Sequence, residues 1–230
     1  MHNLSSFIRL DFLTVKPYFT IKNLLIFLAA AVIMSSGGSG SGAGYNVFLP
    51  FGFFLGISVL YTGYPFALAE KNNLGILYAT LSVSHSTMVM GRYLFVLLLD
   101  GFSGILALCY TIAFAAFTKT AFSLNEALIA FVALFSFYTV LQAMQLPLYF
   151  KLGYTKGRIL TFLPFIAIPG IIALLRALVP ASIGTQKLAS IAFRINASPL
   201  VFALAAFALW LVIMVASYRI SLAFYKRLDA

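Results

Sequence analysis

The residues best able to do catalytic chemistry are few in this chain. Gly101-Phe102-Ser103-Gly104 is a pattern that presents a nucleophilic serine in some intramembrane proteases. Such a serine needs a histidine on a later span to accept its proton, and no histidine follows His85. Small residues within a membrane helix more often allow two helices to pack closely. The motif therefore predicts helix packing rather than hydrolysis.

The sequence offers no pattern for nucleotide or metal chemistry. No G-x-x-x-x-G-K-[ST] phosphate loop occurs, so the chain by itself is not expected to hydrolyse ATP. The single cysteine, Cys109, excludes an intramolecular disulfide and a cysteine-clustered metal site. His2 and His85 lie outside the apolar runs and cannot form a metal cluster with the five acidic residues. We therefore predict no catalytic residue, no cofactor-binding residue and no metal ligand in this chain.

Three polar residues, Asp100, Gln142 and Gln145, lie inside apolar stretches. A carboxylate there is costly, and it usually has a partner or lines an aqueous path. Asp100 lies eight residues after Arg92, about 12 Å from the inner boundary, and Gln142 lies nine residues before Lys151, about 13–14 Å from it. These matched depths predict a hydrogen bond between Asp100 and Gln142. Direct contact of Asp100 with a substrate or an ion is the alternative.

The composition of the chain indicates the class of structure that holds these polar side chains. Of the 230 residues, 63% are hydrophobic and 9% are charged, whereas a soluble domain carries about 25% charged residues. The net charge of +10 comes from Lys and Arg at the ends of apolar runs, with no basic stripe, which argues against nucleic-acid binding. The chain is therefore predicted to be an all-α integral membrane protein, with residues 1–230 forming one transmembrane domain.

Six apolar stretches are long enough to cross a hydrocarbon core of about 30 Å. The predicted spans are 18–36, 46–68, 93–118, 126–149, 159–179 and 200–224. Residues 1–17 are too polar to span, and their apolar residues recur at near-helical spacing, which predicts an N-terminal interfacial helix.

Three connections between the predicted spans have distinct compositions. The Gly/Ser stretch 37–44 fits a flexible linker, either a natural short loop or a replacement for one. Residues 69–92 form a long segment between the second and third spans. Residues 180–199 form another between the fifth and sixth, and could be a surface helix or a re-entrant one. With the N-terminus inside, eleven Lys and Arg residues fall on the cytoplasmic side and four outside, so both termini are predicted to be cytoplasmic.

The segment 69–92 carries a recognisable pattern. It contains Glu70-Lys71-Asn72-Asn73, then Leu77-Tyr78, then Leu81-Ser82-Val83-Ser84-His85, and finally Gly91-Arg92-Tyr93-Leu94. With Pro147-Leu148-Tyr149-Phe150-Lys151 and the ending Tyr218-Arg219-Ile220-Ser221, this pattern resembles the type-2 ABC-transporter permease family. The chain departs from the family at Ser82, where proline is frequent, and at His85, where arginine is frequent. The second departure puts a contact of His85 with a partner subunit in doubt.

The resemblance implies a small six-span exporter permease in the plasma (inner) membrane. It implies a second permease subunit, identical or paralogous, and separate ATP-binding cassette subunits that hold ATP and Mg²⁺. In this family the segment after the second span forms a cytoplasmic coupling helix that docks into the ATP-binding subunit. The resemblance extends this docking role to eight positions: Glu70, Lys71, Asn72, Asn73, Leu77, Leu81, Ser84 and His85. The substrate, whether a peptide, a drug-like molecule or an ion, stays open.

Pro164, Pro169 and Gly170 interrupt the predicted fifth span, and such an interruption serves either as a hinge or as a static kink. Three other functions remain open from the sequence. The main alternative is a solute-binding six-span subunit of a vitamin-type importer, which would need several polar groups around a buried pocket. The others are an intramembrane enzyme and a structural or assembly factor.

Overall fold

The computed structural model describes residues 2–18, 20–37, 47–72, 84–119, 122–161 and 199–228. These residues form α1 (His2–Val15), a 3-10 turn (Lys16–Tyr18), α2 (Ile21–Gly37), α3 (Phe48–Thr62), α4 (Tyr64–Lys71), α5 (His85–Thr118), α6 (Leu124–Thr161) and α7 (Pro199–Leu228). No strand occurs within these ranges, so the all-α prediction is confirmed for the described part of the chain.

Several helices are long and apolar enough to cross a membrane. In the described residues four stretches qualify: Phe48–Lys71, His85–Thr118, Leu124–Ile159 and Ala206–Lys226. They correspond to the predicted second, third, fourth and sixth spans. The predicted first span contains a shorter apolar helix, Ile21–Ser35.

Parts of the prediction lie outside the described residues. These parts are nearly all of the predicted fifth span, with Pro164, Pro169 and Gly170, and nearly all of the segment 180–199. The described helices therefore establish a multi-pass arrangement, while the total of six spans stays a prediction.

The helix of the third span begins earlier than the predicted residue 93. The Ser84 hydroxyl accepts a hydrogen bond from the Thr87 amide at 3.2 Å, which caps the first turn of a helix that starts at His85. On the other side, α4 continues to Lys71, beyond the predicted end at residue 68. The segment predicted as 69–92 is therefore helical at both ends, with residues 73–83 outside the described ranges.

The helix of the fourth span is longer than the predicted 126–149 at both ends. Residues 150–158, which lie between the predicted fourth and fifth spans, continue α6, and Lys151, Lys156 and Arg158 are exposed on it. The helix is interrupted at Gly153, whose φ of 74° and ψ of 178° lie outside the helical region. Positive φ at little cost requires glycine, so this residue sets the position of the break.

Buried apolar side chains form two clusters along the bundle. One contains Val15, Tyr61, Phe66, Val89, Tyr93, Phe95, Val96, Leu99, Leu146, Tyr149 and Phe150. The other contains Ala31, Val47, Phe51, Phe54, Ala107, Tyr110, Ala127 and Ala130. Helices α3, α5 and α6 contribute to both. Each of these helices carries a buried polar residue between its two apolar stretches, namely Ser58, Asp100 and Gln142.

Candidate functional site

The buried polar residues of the three central helices form one hydrogen-bonded cluster. Gln142 Nε2 donates to Asp100 Oδ1 at 3.0 Å and to Thr62 Oγ1 at 3.2 Å. The Ser58 hydroxyl also donates to Asp100 Oδ1. Asp100, Gln142 and Ser58 are completely buried, and Thr62 is 1% exposed. The hydrogen bond between Asp100 and Gln142, predicted from their depths, is confirmed.

Two oxygen atoms of this cluster have no hydrogen-bond partner in the described part of the chain: Asp100 Oδ2 and Gln142 Oε1. Gln145, the third polar residue predicted inside the spans, is also buried, at 2% exposure, one turn beyond Gln142 on α6. Sequence reasoning missed Ser58 and Thr62. Their signal was a pair of hydroxyl residues four positions apart in an apolar span, which places both on one helix face.

The Gly101-Phe102-Ser103-Gly104 motif packs helices together, as predicted. A Cβ atom at Gly104 would lie 2.1 Å from Phe131 Cε2, so α5 and α6 approach each other closely at this glycine. Ser103 lines an apolar cavity of about 260 Å³ between α2, α3 and α5. His85 lies eighteen residues before Ser103 on the same helix, about 27 Å away along the axis, so the two residues cannot form a catalytic pair.

An ion pair that the sequence did not reveal attaches the N-terminal helix. Arg92 Nε lies 3.3 Å from Asp11 Oδ2, with the side chains 4% and 2% exposed, and the guanidinium lies 4.6 Å from the centre of the Phe66 ring. Burial raises the pKa of Asp11, and the charge of Arg92 acts in the opposite direction. The available signal was the position of Asp11, four residues before the apolar Val15, which places both on one face of a helix.

Glu70 holds the end of α4 against α6. Its Oε2 accepts hydrogen bonds from the Tyr154 amide at 2.6 Å and the Thr155 amide at 3.0 Å, and its Oε1 accepts one from the Thr155 hydroxyl at 2.6 Å. These amides begin the helical stretch after the break at Gly153, so they have no carbonyl partner in the preceding turn. The Glu70 carboxylate therefore caps this stretch from a neighbouring helix.

The other residues predicted to dock an ATP-binding subunit lie in two places. Lys71 and Asn72 are exposed at the end of α4, while Ser84 is exposed at the start of α5. The ring of His85 packs edge-on to Tyr225 of α7, with ring centres 5.3 Å apart. Asn73, Leu77 and Leu81 lie outside the described residues.

Aromatic contacts show that these helix ends share one end of the bundle. Tyr225, near the end of α7, contacts both His85 of α5 and Phe150 of α6. Phe150 in turn packs against Phe66 of α4. Exposed basic residues surround this end, namely Lys71, Lys151, Lys156, Arg158, Arg219 and Lys226. The opposite end of α5 and the start of α6 carry Lys119 and Glu126.

A family model described as ABC-2 family transporter protein matches residues 6–226 of this chain. The chain belongs to the ABC-2 family. The resemblance to type-2 ABC permeases is therefore confirmed over nearly the whole sequence. Comparison with curated proteins and with solved structures gave no match.

Membership of the ABC-2 family indicates what the long apolar helices belong to. Proteins of this family are the membrane subunits of ABC transporters, and they associate with an ATP-binding cassette subunit. The helices of this ABC-2 protein therefore form the membrane part of a transporter.

Proposed function

We propose that this ABC-2 family protein is the permease subunit of an ATP-driven exporter. It moves a peptide, a drug-like molecule or an ion out of the cytoplasm by alternating access. Separate ATP-binding cassette subunits bind ATP and Mg²⁺ and drive this change, together with a second permease subunit that is identical or paralogous. The observation that carries the proposal is the family match over residues 6–226 of a chain that has no phosphate loop.

The docking surface in this proposal is the connection between α4 and α5. Lys71, Asn72 and Ser84 are exposed polar residues on its two sides, and the other predicted docking positions, Asn73, Leu77 and Leu81, lie outside the described residues. Glu70 belongs to the support of this surface, because its carboxylate is engaged by Tyr154 and Thr155 of α6. A displacement of the connection by an ATP-binding subunit would therefore move α6 as well as α4 and α5.

The orientation in this proposal follows from charge. The exposed basic residues gather at the end of the bundle that contains the connection between α4 and α5. Basic residues favour the cytoplasmic face of a membrane protein, so this end faces the cytoplasm. In this proposal both termini lie on the cytoplasmic side, where ATP-binding subunits operate, as the counts of Lys and Arg predict.

Co-purification from the native membrane tests the proposal. The intact chain should copurify in mild detergent with a stoichiometric protein that carries a phosphate loop, and the complex should hydrolyse ATP. Lys71→Glu and Leu81→Glu should reduce recovery of that partner, whereas Lys119→Glu, at the opposite end, should not. A chain that comes out alone, or with other membrane proteins and no ATPase activity, would overturn the exporter proposal.

Family membership favours this function over the alternatives that the sequence left open. A solute-binding importer subunit needs a buried pocket with several polar groups, and the cavity that contains Ser103 is lined mainly by apolar side chains such as Leu24, Phe27, Phe54 and Leu106. The mainly apolar lining of this cavity also gives no support to an intramembrane enzyme, which would need a pair of catalytic groups. No contact in the described residues supports a purely structural or assembly role.

A further inference from the structure

The buried carboxyl group of Asp100 has neutral neighbours on every described side. Ser58 of α3 and Gln142 of α6 face it and bind the same oxygen, Oδ1. The closest charged residue along α5 is Arg92, eight positions away, and its guanidinium pairs with Asp11 of α1. On α7, the buried Ser217 hydroxyl hydrogen-bonds to Tyr93 and donates to the Ala143 carbonyl oxygen. Among the described residues, no cation therefore pairs with Asp100 to balance a negative charge.

An ionised carboxylate in this position would be very unfavourable. Taking a carboxylate out of water is compensated only by a close opposite charge and by hydrogen bonds to all its oxygens. Asp100 has no such charge, and its Oδ2 has no hydrogen-bond partner. The same holds at the depth of a membrane span, where water is not available to solvate the group.

The unpartnered oxygen of Gln142, Oε1, indicates what the site lacks. Gln142 donates through Nε2 to Asp100 Oδ1, and its own Oε1 is a buried acceptor without a donor. A single proton on Asp100 Oδ2 would remove the charge and make Oδ2 a donor, which is the kind of group that the amide oxygen lacks. A metal ion would instead need several oxygen ligands and room at more than 2 Å from each. The described residues hold no group of three or more His, Cys, Asp or Glu side chains that could bind a metal ion, so a proton is the simpler way to complete this pair.

We propose that Asp100 is a proton-binding site, in which the neutral carboxylic acid donates through Oδ2 to Gln142 Oε1 and accepts from Gln142 Nε2. The two hydrogen bonds join α5 to α6, and the Ser58 hydroxyl joins α3 to the same carboxyl group. Release of the proton to water leaves a buried carboxylate opposite an amide oxygen, which favours separation of the three helices. Proton uptake therefore accompanies closure of this layer. This inference does not depend on the direction or the substrate of transport.

Thermal unfolding of the full chain in lipid nanodiscs, measured as a function of pH, tests this site. Asp100→Asn places an N–H donor where the acid proton lies, so it reproduces the protonated state at every pH. The folded wild type retains its proton at pH values where the unfolded chain has lost it. Its stability relative to Asp100→Asn should therefore be greatest in acid. Above about pH 4, the folding equilibrium constant of wild type relative to that of Asp100→Asn should fall about tenfold per pH unit. This fall should stop at the pH where the folded protein also releases the proton.

A matched control and a second measurement make the outcome decisive. Glu126→Gln removes an exposed carboxyl group at the end of the bundle, and its stability relative to wild type should change little with pH. If Asp100→Asn is less stable than wild type by the same factor at all pH values, or if added Na⁺ stabilises wild type selectively, Asp100 is ionised and the proposal fails.

If Asp100→Asn does not fold, infrared spectroscopy of the wild type tests whether Asp100 carries a proton. At neutral pH the protein should show the C=O band of a protonated carboxylic acid, shifted by deuterium exchange and by ¹³C-labelled aspartate. Absence of that band would also overturn the proposal.

Discussion

Gln142 Nε2 lies 3.0 Å from Asp100 Oδ1, at the level where α3, α5 and α6 pass between two clusters of buried apolar side chains. The contact places Asp100 and Gln142 at one depth, so it helps to set the register of α5 against α6. Hydrogen bonds between membrane helices typically contribute modestly, but loss of one partner leaves a buried polar group unsatisfied.

Substitution of Gln142 by leucine tests the contribution of this layer to stability. Gln142→Leu removes the donor to Asp100 and to Thr62 while keeping an apolar side chain of similar size. We expect a loss of about 1–3 kcal/mol in the free energy of unfolding, measured by thermal or denaturant unfolding in micelles. Met144→Leu, at an exposed position on the same helix, is the control. Equal stability of the two variants would show that the polar layer is dispensable.

Substitution by alanine should have very different effects at Gly101 and Gly104, the two glycines of the Gly101-Phe102-Ser103-Gly104 motif. A Cβ atom at Gly104 would lie 2.1 Å from Phe131 Cε2, whereas one at Gly101 would meet no atom within 4 Å. Gly104→Ala should therefore destabilise the protein by about 1–3 kcal/mol, and Gly101→Ala should not. Thermal unfolding measures both variants. Phe131→Leu in the Gly104→Ala background should recover part of the loss, and a failure to do so would locate the strain elsewhere.

The ion pair between Asp11 and Arg92 should be sensitive to the loss of one partner. Asp11→Leu leaves a buried guanidinium without its carboxylate, so we expect a loss of about 3–5 kcal/mol in unfolding free energy. Limited proteolysis should also release the N-terminal helix more readily. The double variant Asp11→Leu/Arg92→Met should be more stable than Asp11→Leu alone, because it removes the unpaired charge. Arg9→Gln, an exposed neighbour, is the control, and similar behaviour of Arg9→Gln and Asp11→Leu would contradict the prediction.

The hydrogen bonds from Glu70 to α6 can be followed without any transport assay. Glu70→Ala removes the acceptor for the Tyr154 and Thr155 amides, which should then exchange their hydrogens faster. Hydrogen exchange measured by mass spectrometry on peptides that cover residues 150–158 reports this change. Lys71→Ala, at the next position on α4, should leave the exchange unchanged. Unaltered exchange in Glu70→Ala would mean that these amides are protected by another group.

The hydrogen bond between Asp100 and Gln142 was predictable because both residues lie on regular helices. A fixed rise per residue converts sequence distance from a basic boundary into depth, and two polar residues at one depth in an apolar medium seek each other. The same arithmetic did not find Ser58. A serine is common in membrane helices, and depth alone does not say which face of α3 turns toward α5.

The bounds of the helices were less predictable than their existence. Lys151, Lys156 and Arg158 follow the predicted end of the fourth span, yet they lie on a helix that continues past the apolar stretch. Charge indicates where a chain leaves the hydrocarbon region, but a helix needs no change of structure at that boundary. Ser84 ends the connection before α5 through a local side-chain cap, a signal that is weak against a background of other serines.

The sequence by itself determined the class of this protein. Its composition, the length of its apolar stretches and the pattern around residues 69–92 led to a multi-pass, all-helical membrane protein of the ABC-2 family, because these properties are local or additive along the chain. The tertiary structure decided the partners of Asp11 and of Glu70, and it left the second oxygen of Asp100 without a hydrogen-bond partner among the described residues. Such contacts depend on how helices are rotated and packed against one another, and neither periodicity nor depth fixes that arrangement.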